Sequence, residues 1–167
     1  MKKLYILKTV VDFLWIISLF AFPLIIFLTI YFIWSDEVMD IPIQITTHEI
    51  DLTSKFGKIA LAIGVLNSGL LLYAVFLFRK LLTNFRKRLI FETENMILFD
   101  KIGNLVLLAS VVYIITDFVA NTSINHLQIN FGYGPFLYLL GLGLFFKVLA
   151  EVFKMGKNLK DENELTI

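Results

Sequence analysis

Four apolar stretches run through the chain, and each is long enough to cross a bilayer. Over residues 13–34, 59–78, 105–120 and 131–153, they contain only three charged residues, Asp117, Lys147 and Glu151. A transmembrane helix needs roughly 20 mostly apolar residues to cross a hydrocarbon core about 30 Å thick. The pattern therefore predicts an all-α integral membrane protein that folds as a bundle of four transmembrane helices. The predicted spans cover approximately residues 11–34, 58–79, 102–120 and 133–153.

The composition agrees with this interpretation and limits the domain organisation. Hydrophobic residues make up 58% of the 167 residues and charged residues only 17%, whereas soluble domains contain about 25% charged residues. We therefore expect a single membrane domain over residues 1–167. Cysteine is absent, which excludes disulfides, thiolate metal sites and cysteine nucleophiles. No cofactor or metal site is predicted.

The basic residues lie on one side of the predicted spans. All but two of the 15 lysines and arginines fall in the first eight residues, in the loop 79–101, or in residues 147–160. Short loops rich in Lys and Arg stay on the cytoplasmic side of a membrane. The charge pattern therefore predicts a multi-pass membrane protein with both termini cytoplasmic. The first and third loops are predicted to lie outside.

The two outer loops share a pattern that is typical of strands. Residues 41–52 and 124–131 partly alternate apolar and polar side chains. Such alternation favours a half-buried strand over a helix. The sequence therefore predicts a small extracytoplasmic β cap, formed by pairing between loops one and three.

Small residues mark where the predicted helices could approach one another. Ala60, Gly64 and Ser68 recur every four residues in span two, and Gly141 and Gly143 lie in span four. Small side chains let membrane helices pack closely. We expect tight packing inside the bundle at these positions. The alternative is that the stripe in span two forms a contact between two copies of the chain.

The loop over residues 79–101 combines a basic cluster with apolar residues at helical spacing. Leu81, Leu82, Phe85 and Leu89 fall on one helical face. This pattern is typical of an amphipathic helix on the inner membrane surface, where basic side chains bind anionic lipid. The alternative is that the loop docks a cytosolic partner. The basic residues assigned to that docking role are Arg86, Lys87 and Arg88.

Ionisable residues within or beside the spans are candidates for chemistry, because a charge at the bilayer centre costs about 2.5–3.5 kcal/mol. They are Asp12, Asp117, Lys147 and Glu151. We expect Lys147 to form a structural ion pair with Glu151 or Asp12. The alternative is a proton or ion relay from Asp117 to Lys147. The chain has no phosphate-binding loop, nucleophile elbow or pair of catalytic carboxylates, so no enzymatic activity is expected.

Two segments of the chain carry specific motifs. In the tail, residues 154–167, and just before it, a Phe-x-x-Gly-x-x-Leu pattern leads into Glu-Asn-Glu-Leu-Thr-Ile; the residues are Phe153, Gly156, Leu159, Glu162, Asn163, Glu164, Leu165, Thr166 and Ile167. At the start of span three, Phe-x-x-Glu-Asn is followed by Ile-Gly; the residues are Phe91, Glu94, Asn95, Ile102 and Gly103. These motifs resemble the signature of a bacterial family of four-span membrane proteins, the domain of unknown function 2975 (YoaS-like proteins).

The resemblance implies a multi-pass protein of the bacterial cytoplasmic (inner) membrane without an assigned activity, and relatives that are often encoded beside a small helix-turn-helix regulator. It points to a non-enzymatic signalling or regulatory partner of a cytosolic regulator, docked through the basic loop, Glu94, Asn95 and residues 162–167. The alternative for the tail is that it folds back, with Glu162 and Glu164 facing the basic loop. A small transporter or efflux/immunity-type protein and a structural membrane subunit are the alternative functions.

The net charge of the chain is +1. This low value gives no reason to expect direct binding of nucleic acid. The expected partners are the lipid bilayer, which the apolar spans imply, and a cytosolic transcriptional regulator, which the resemblance implies. Homo-oligomerisation stays open at this point.

Overall fold

Four long helices form the protein in a computed structural model, which describes residues 2–35, 44–45, 48–123 and 134–164. The helices are α1 (Lys2–Trp34), α2 (Lys55–Arg86), α3 (Thr93–Ser123) and α4 (Gly134–Glu164). Each is long and apolar enough to cross a membrane. The prediction of a mainly helical protein with four helices that can span a membrane is therefore confirmed.

The helices pack in chain order, and α3 lies at the centre. Helix α1 packs on α2, α2 packs on α3, and α3 packs on α4. Consequently α3 is the most buried of the four apolar segments and α1 is the least buried. The main core joins α2, α3 and α4. Its buried residues are Ala74, Leu77, Leu81, Leu98, Phe99, Ile102, Val106 and Ala150.

Glycines bring neighbouring helices together at specific positions. A Cβ on Gly143 would lie 2.8 Å from Leu107 Cγ, and a Cβ on Gly103 would lie 3.0 Å from the Gly143 carbonyl oxygen. Gly143 therefore packs tightly against α3, as predicted. Gly69, which the sequence did not single out, meets the ring of Phe22 at 3.1 Å and joins α1 to α2.

Of the other predicted packing positions, Ala60 packs in a second buried cluster with Phe32 of α1 and Ala120 of α3, whereas Gly141 and Ser68 do not lie between the described helices. Gly141 faces open space among the described residues, so its prediction as a packing residue was wrong. In the span-two stripe, Ala60 is fully buried, but Ser68 is exposed and donates to the Gly64 carbonyl at 3.0 Å. The buried residue beside this stripe is instead Asn67.

A short hairpin precedes α2. Strands β1 (Gln44–Ile45) and β2 (His48–Glu49) pair antiparallel, and both belong to the first loop. A β cap formed by loops one and three is therefore not supported, and the predicted strand at 124–131 lies outside the described residues. After the hairpin, Asp51 accepts hydrogen bonds from the Thr53 hydroxyl (2.6 Å) and backbone N–H (2.8 Å). These bonds lower the pKa of the Asp51 carboxyl and shape the turn into α2.

Candidate docking surface at the basic end

A belt of charged residues marks the level where the apolar segments end. Asp12 on α1 accepts a hydrogen bond from Arg79 on α2, and Asp100 on α3 accepts one from Lys147 on α4. Both basic residues directly follow phenylalanines whose rings are in contact, with centroids 6.0 Å apart. We call these four residues the charge belt, and the part of the molecule beyond it, towards Arg86, the basic end.

The partner of Lys147 differs from the prediction. Lys147 pairs with Asp100, and its Nζ also donates to Asn104 Oδ1 at 3.1 Å. This geometry is available because the lysine stem lies over Gly103, where a Cβ would be 2.9 Å from Lys147 Cγ. The expected pairing with Glu151 or Asp12 was therefore wrong.

Asp12 has its own partners at the charge belt. Besides Arg79, it accepts a hydrogen bond of 2.5 Å from Lys8, which is buried. Asp12 therefore joins α1 to α2, and Asp100 joins α3 to α4. The two pairs fasten neighbouring helices at the same end of the molecule.

The arrangement of polar groups along α3 gives no support for a relay. Asp117 lies 17 residues beyond Asp100, which is about 25 Å along a helix. Between them, the buried hydroxyls of Ser110 and Thr116 donate to carbonyls of their own helix. These bonds satisfy the hydroxyls locally and do not link Asp117 to Lys147.

Helix α2 continues seven residues past Arg79 into the basic end. Leu81 and Leu82 on this extension are buried, and Phe85 packs against the main core. The apolar face therefore contacts α3 and α4, and residues 79–86 do not form a separate amphipathic helix on the membrane surface. That interpretation of residues 79–101 was wrong, because helical spacing identifies an apolar face without identifying what covers it.

Four phenylalanines hold the basic end together. The ring of Phe153 on α4 contacts Phe99 on α3, Phe85 on α2 and Phe91 in the connecting loop, at centroid distances of 4.7, 5.6 and 5.8 Å. Aromatic pairs at such distances add stabilisation beyond the area that they bury. Phe91 also covers Gly156, where a Cβ would lie 2.5 Å from the ring. Gly156 thus leaves room for the loop.

The turn after α2 places an arginine in an unusual conformation. Arg88 has φ 63°, its N–H donates to the Phe85 carbonyl at 3.0 Å, and the Leu89 N–H donates to the Asn84 carbonyl at 3.1 Å. These two bonds form the Schellman motif that ends many helices, usually with glycine at the left-handed position. A residue with a Cβ costs roughly 1–2 kcal/mol there. The turn therefore carries Arg88 at an energetic cost.

The buried side chain of Asn95 holds the backbone of the loop between α2 and α3. Its side chain is fully buried, and Nδ2 donates to the Leu89 and Ile90 carbonyls at 2.5 and 2.8 Å. Its Oδ1 accepts a bond of 2.9 Å from Asn84 Nδ2. Asn95 is therefore inaccessible to a partner, and its predicted docking role was wrong. It is a positioning residue that sets the backbone of the loop.

Further polar contacts join the start of α3 to its neighbours. Glu94 accepts bonds from Lys80 Nζ (2.6 Å) and Asn84 Nδ2 (3.0 Å), and these bonds lower the pKa of its carboxyl. Lys157 on α4 donates to the Thr93 hydroxyl at 2.7 Å. Glu94 lies outside the apolar segment of α3, and these contacts tie it to the structure of the loop. Asn84 and Asp100 were not singled out from the sequence.

The loop fixed in this way presents six consecutive exposed residues, Arg86–Phe91. Three of them are basic, and the three that follow are apolar, with 41–44% of their surface exposed. Glu162 and Asn163 are exposed near the end of α4. The side chain of Glu164 and residues Leu165, Thr166 and Ile167 lie outside the described part of the chain, so the proposed fold-back of the tail falls there too. We call Arg86–Phe91 the docking tip.

The described residues of the docking tip offer no group of metal-ligating side chains. In the described ranges, no cluster of three or more metal-ligating side chains occurs. The tip offers guanidinium, ammonium and apolar groups, which bind anionic and apolar surfaces. Its chemistry is that of an interface.

The residues that resemble a family signature meet at this end of the molecule, since Phe91 and Phe153 are in contact and Phe91 covers Gly156. The model of one protein family, described as proteins of unknown function (DUF2975), matches residues 35–167. No curated protein and no solved structure matches the chain. Helix α1 precedes the matched region. The chain therefore belongs to the DUF2975 family.

Proposed function

We propose that this protein is a non-enzymatic signalling or regulatory protein of the bacterial cytoplasmic membrane. In this proposal, the docking tip binds a cytosolic regulator of the helix-turn-helix type, and residues 162–167 contribute to the contact. The observation that carries the proposal is the rigid presentation of Arg86–Phe91, whose backbone is held by the fully buried Asn95. A loop that is ordered before binding loses less entropy when a partner docks.

The distribution of basic residues supports a cytoplasmic position for the docking tip. The tip contains Arg86, Lys87 and Arg88, and the start of α1 and the end of α4 contribute further lysines at the same end. The positive-inside rule favours placing these segments in the cytoplasm. Both ends of the chain are then cytoplasmic, and the β1–β2 hairpin faces outward.

The distance of the docking tip from the charge belt, measured along α2, favours a protein partner over lipid. Arg86 lies seven residues beyond Arg79, which is about 10 Å along α2. The headgroup region on each side of a bilayer is only about 5–7 Å thick. If the charge belt marks the edge of the hydrocarbon core, Leu89, Ile90 and Phe91 stand in water. Apolar side chains that are exposed there next to basic ones fit a partner with acidic and apolar groups.

A transport function would need an unpaired charge in the interior, and Lys147 was its one anchor. Lys147 is instead bonded to Asp100 and Asn104 at the charge belt. The proposal therefore assigns Lys147 a structural role.

Capture of partners from detergent-solubilised membranes tests the docking tip. Reversing two charges, Arg86→Glu with Arg88→Glu, should abolish recovery of the regulator, since the contact depends on these charges. Lys2→Glu with Lys3→Glu is the matched control, because these exposed lysines lie outside the tip. Equal recovery with the tip variant and the wild type would contradict the proposal.

Deleting residues 161–167 tests the role of the tail separately. The proposal expects weaker recovery of the same regulator from the shortened protein. Identical recovery would remove the tail from the interface and leave the docking tip as the binding site.

A further inference from the structure

Charge is balanced differently on the two sides of the charge belt. Where α3 meets α4, Lys147 faces one carboxylate, that of Asp100. Where α1 meets α2, the single carboxylate of Asp12 faces two cations, Lys8 and Arg79. Within the described ranges, neither of these cations is paired with a second carboxylate. The α1–α2 side therefore carries one positive charge in excess, whereas the α3–α4 side is neutral.

The excess charge lies in a partly buried place. The side chain of Lys8 is only 11% exposed, and that of Arg79 is 36% exposed. A guanidinium has five N–H donors, and Arg79 uses one of them, on Nε, for Asp12. Its other four N–H groups meet no acceptor among the described residues. A partly buried cation is stabilised by an anion that accepts its remaining hydrogen bonds.

Aromatic rings lie on the membrane side of these charges. Trp15 follows Asp12 by three residues, and Phe76 precedes Arg79 by three. Each ring therefore shares a helix face with its charged neighbour and lies about 4.5 Å deeper in the membrane. The two rings join α1 to α2, with centroids 5.3 Å apart, and Tyr73 stacks on Phe76 at 6.2 Å.

This surface is open to the membrane. Tyr73 and Phe76 are exposed, and Trp15 is half-buried. We call Lys8, Arg79, Trp15, Tyr73 and Phe76 the cation–aromatic surface. Its cations lie at the charge belt, where the apolar segments end, and its rings lie where acyl chains begin. Tryptophan and tyrosine favour that boundary of a bilayer.

The chemistry of this surface matches one class of ligand. A phosphodiester offers the planar pair of acceptor oxygens that a guanidinium binds best. An anionic phospholipid also supplies the one negative charge that balances the surface, whereas a zwitterionic phospholipid adds a positive group of its own. The glycerol backbone and first methylene groups of the lipid fit against exposed aromatic rings.

We propose that the cation–aromatic surface binds an anionic phospholipid, whose phosphodiester accepts hydrogen bonds from Arg79 beside Lys8 and whose acyl chains pack on Trp15 and Phe76. A lipid held in this way contacts both α1 and α2. It therefore helps to attach α1, which is the least buried of the four apolar segments.

Tryptophan fluorescence can test this proposal, because Trp15 is one of only two tryptophans in the chain. Trp34→Phe leaves Trp15 as the reporter. The full-length protein is reconstituted in phosphatidylcholine vesicles that contain a minority of phosphatidylglycerol, and one of the two lipids carries bromine on its acyl chains as a quencher. One excess basic residue favours an anionic lipid about five-fold. Brominated phosphatidylglycerol should therefore quench Trp15 about five times as strongly, per mole fraction, as brominated phosphatidylcholine.

Two substitutions break the same ion pair but change the charge in opposite directions. Arg79→Gln removes the excess charge and should abolish the preference for phosphatidylglycerol. Asp12→Asn increases the excess charge and should keep or raise the preference. A loss that came only from disturbed packing would appear in both variants. Lys147→Gln, on the neutral side of the charge belt, is the matched control and should leave the preference at Trp15 unchanged.

Equal quenching of Trp15 by the two brominated lipids would overturn the proposal. A preference that survives Arg79→Gln, or that disappears in Asp12→Asn, would overturn it as well. In the reverse reporter, Trp15→Phe, the exposed Trp34 at the other end of α1 should show no preference, and an equal preference there would mean general enrichment around the protein. This inference goes beyond the proposed function, since the assay contains no cytosolic partner and the docking tip lies outside this surface.

Discussion

The two sides of the charge belt differ in what holds the helices together. In the apolar segments, α1 is attached to the rest by contacts with α2 such as Phe22 on Gly69, and most of its surface is exposed. In the basic end, Phe153 contacts three other rings and Asn95 makes three side-chain hydrogen bonds. The specific side-chain contacts of the described residues are therefore concentrated in the basic end.

The difference follows from what surrounds the helices, which is lipid on one side of the charge belt and water on the other. Between helices in lipid there is little hydrophobic driving force, so association depends on close packing of small residues and on polar contacts. If the charge belt marks the edge of the hydrocarbon core, water provides the driving force to bury Phe85 and Phe153 beyond it, and every buried polar group there needs a partner. Substitutions in the basic end should accordingly have larger and more specific effects.

The largest effect is expected for Asn95→Ala. The substitution leaves the Leu89 and Ile90 carbonyls and Asn84 without their buried partner, at a cost of about 2–4 kcal/mol in the free energy of unfolding. Trypsin should also cleave the protein in detergent faster after Arg86, Lys87 and Arg88, because the loop is no longer fixed. The exposed Asn163→Ala is the control and should leave both values unchanged. Equal trypsin rates for the two variants would show that Asn95 does not hold the loop.

A second test compares two glycines of α4. Gly156→Ala places a methyl group 2.5 Å from the ring of Phe91, and displacing the ring should cost about 1–3 kcal/mol. Among the described residues, Gly134→Ala meets nothing closer than 3.9 Å, so it should change stability by less than about 1 kcal/mol. Thermal unfolding in detergent measures both variants. If the two variants unfold at the same temperature, the loop does not rest on α4.

The ion pair of the charge belt gives a smaller effect. Asp100→Asn removes the carboxylate next to Lys147. Both side chains are more than a third exposed, so the loss should be about 1 kcal/mol or less. Glu151→Gln should have no effect, since Lys147 is bonded elsewhere. A larger loss for the Glu151 variant would restore the pairing that was expected from the sequence.

The last change, Arg88→Gly, is small and has the opposite sign. Glycine removes the cost of φ 63°, so stability should rise by about 1 kcal/mol, measured by thermal unfolding. Recovery of the regulator should fall, because the guanidinium is lost. Arg88→Ala should weaken recovery equally without the gain in stability. A glycine variant that loses stability would mean that the arginine side chain is structural.

Much of the fold follows from composition, whereas the contacts do not. The lengths of the apolar stretches predict four spanning helices, because the bilayer fixes the length of a helix that crosses it. The partner of Lys147 could not be predicted, because Asp100 is 47 residues away and meets it only through the packing of α3 on α4. The spacing of Leu81, Leu82 and Phe85 correctly predicted an apolar helical face. That face packs against α3 and α4, and not on the membrane surface as predicted.

The motif residues illustrate the same limit. Phe91, Asn95, Phe153 and Gly156 stand out in the sequence, and the structure brings the two segments together. Only the structure distinguishes the roles of these residues. Asn95 is buried and positions the loop, while Arg86–Phe91 are exposed. A signature identifies residues that matter without separating those that hold a surface from those that form it.

Site-specific photocross-linking in native membranes tests the central claim most directly. A photoreactive amino acid replaces Ile90 in the docking tip or, as the control, the exposed Leu66 in the apolar part of α2. The account predicts a protein adduct with a cytosolic regulator at Ile90, abolished by Arg86→Glu with Arg88→Glu, and no such adduct at Leu66. Cross-linking of Ile90 only to lipid, or to the same proteins as Leu66, would contradict it.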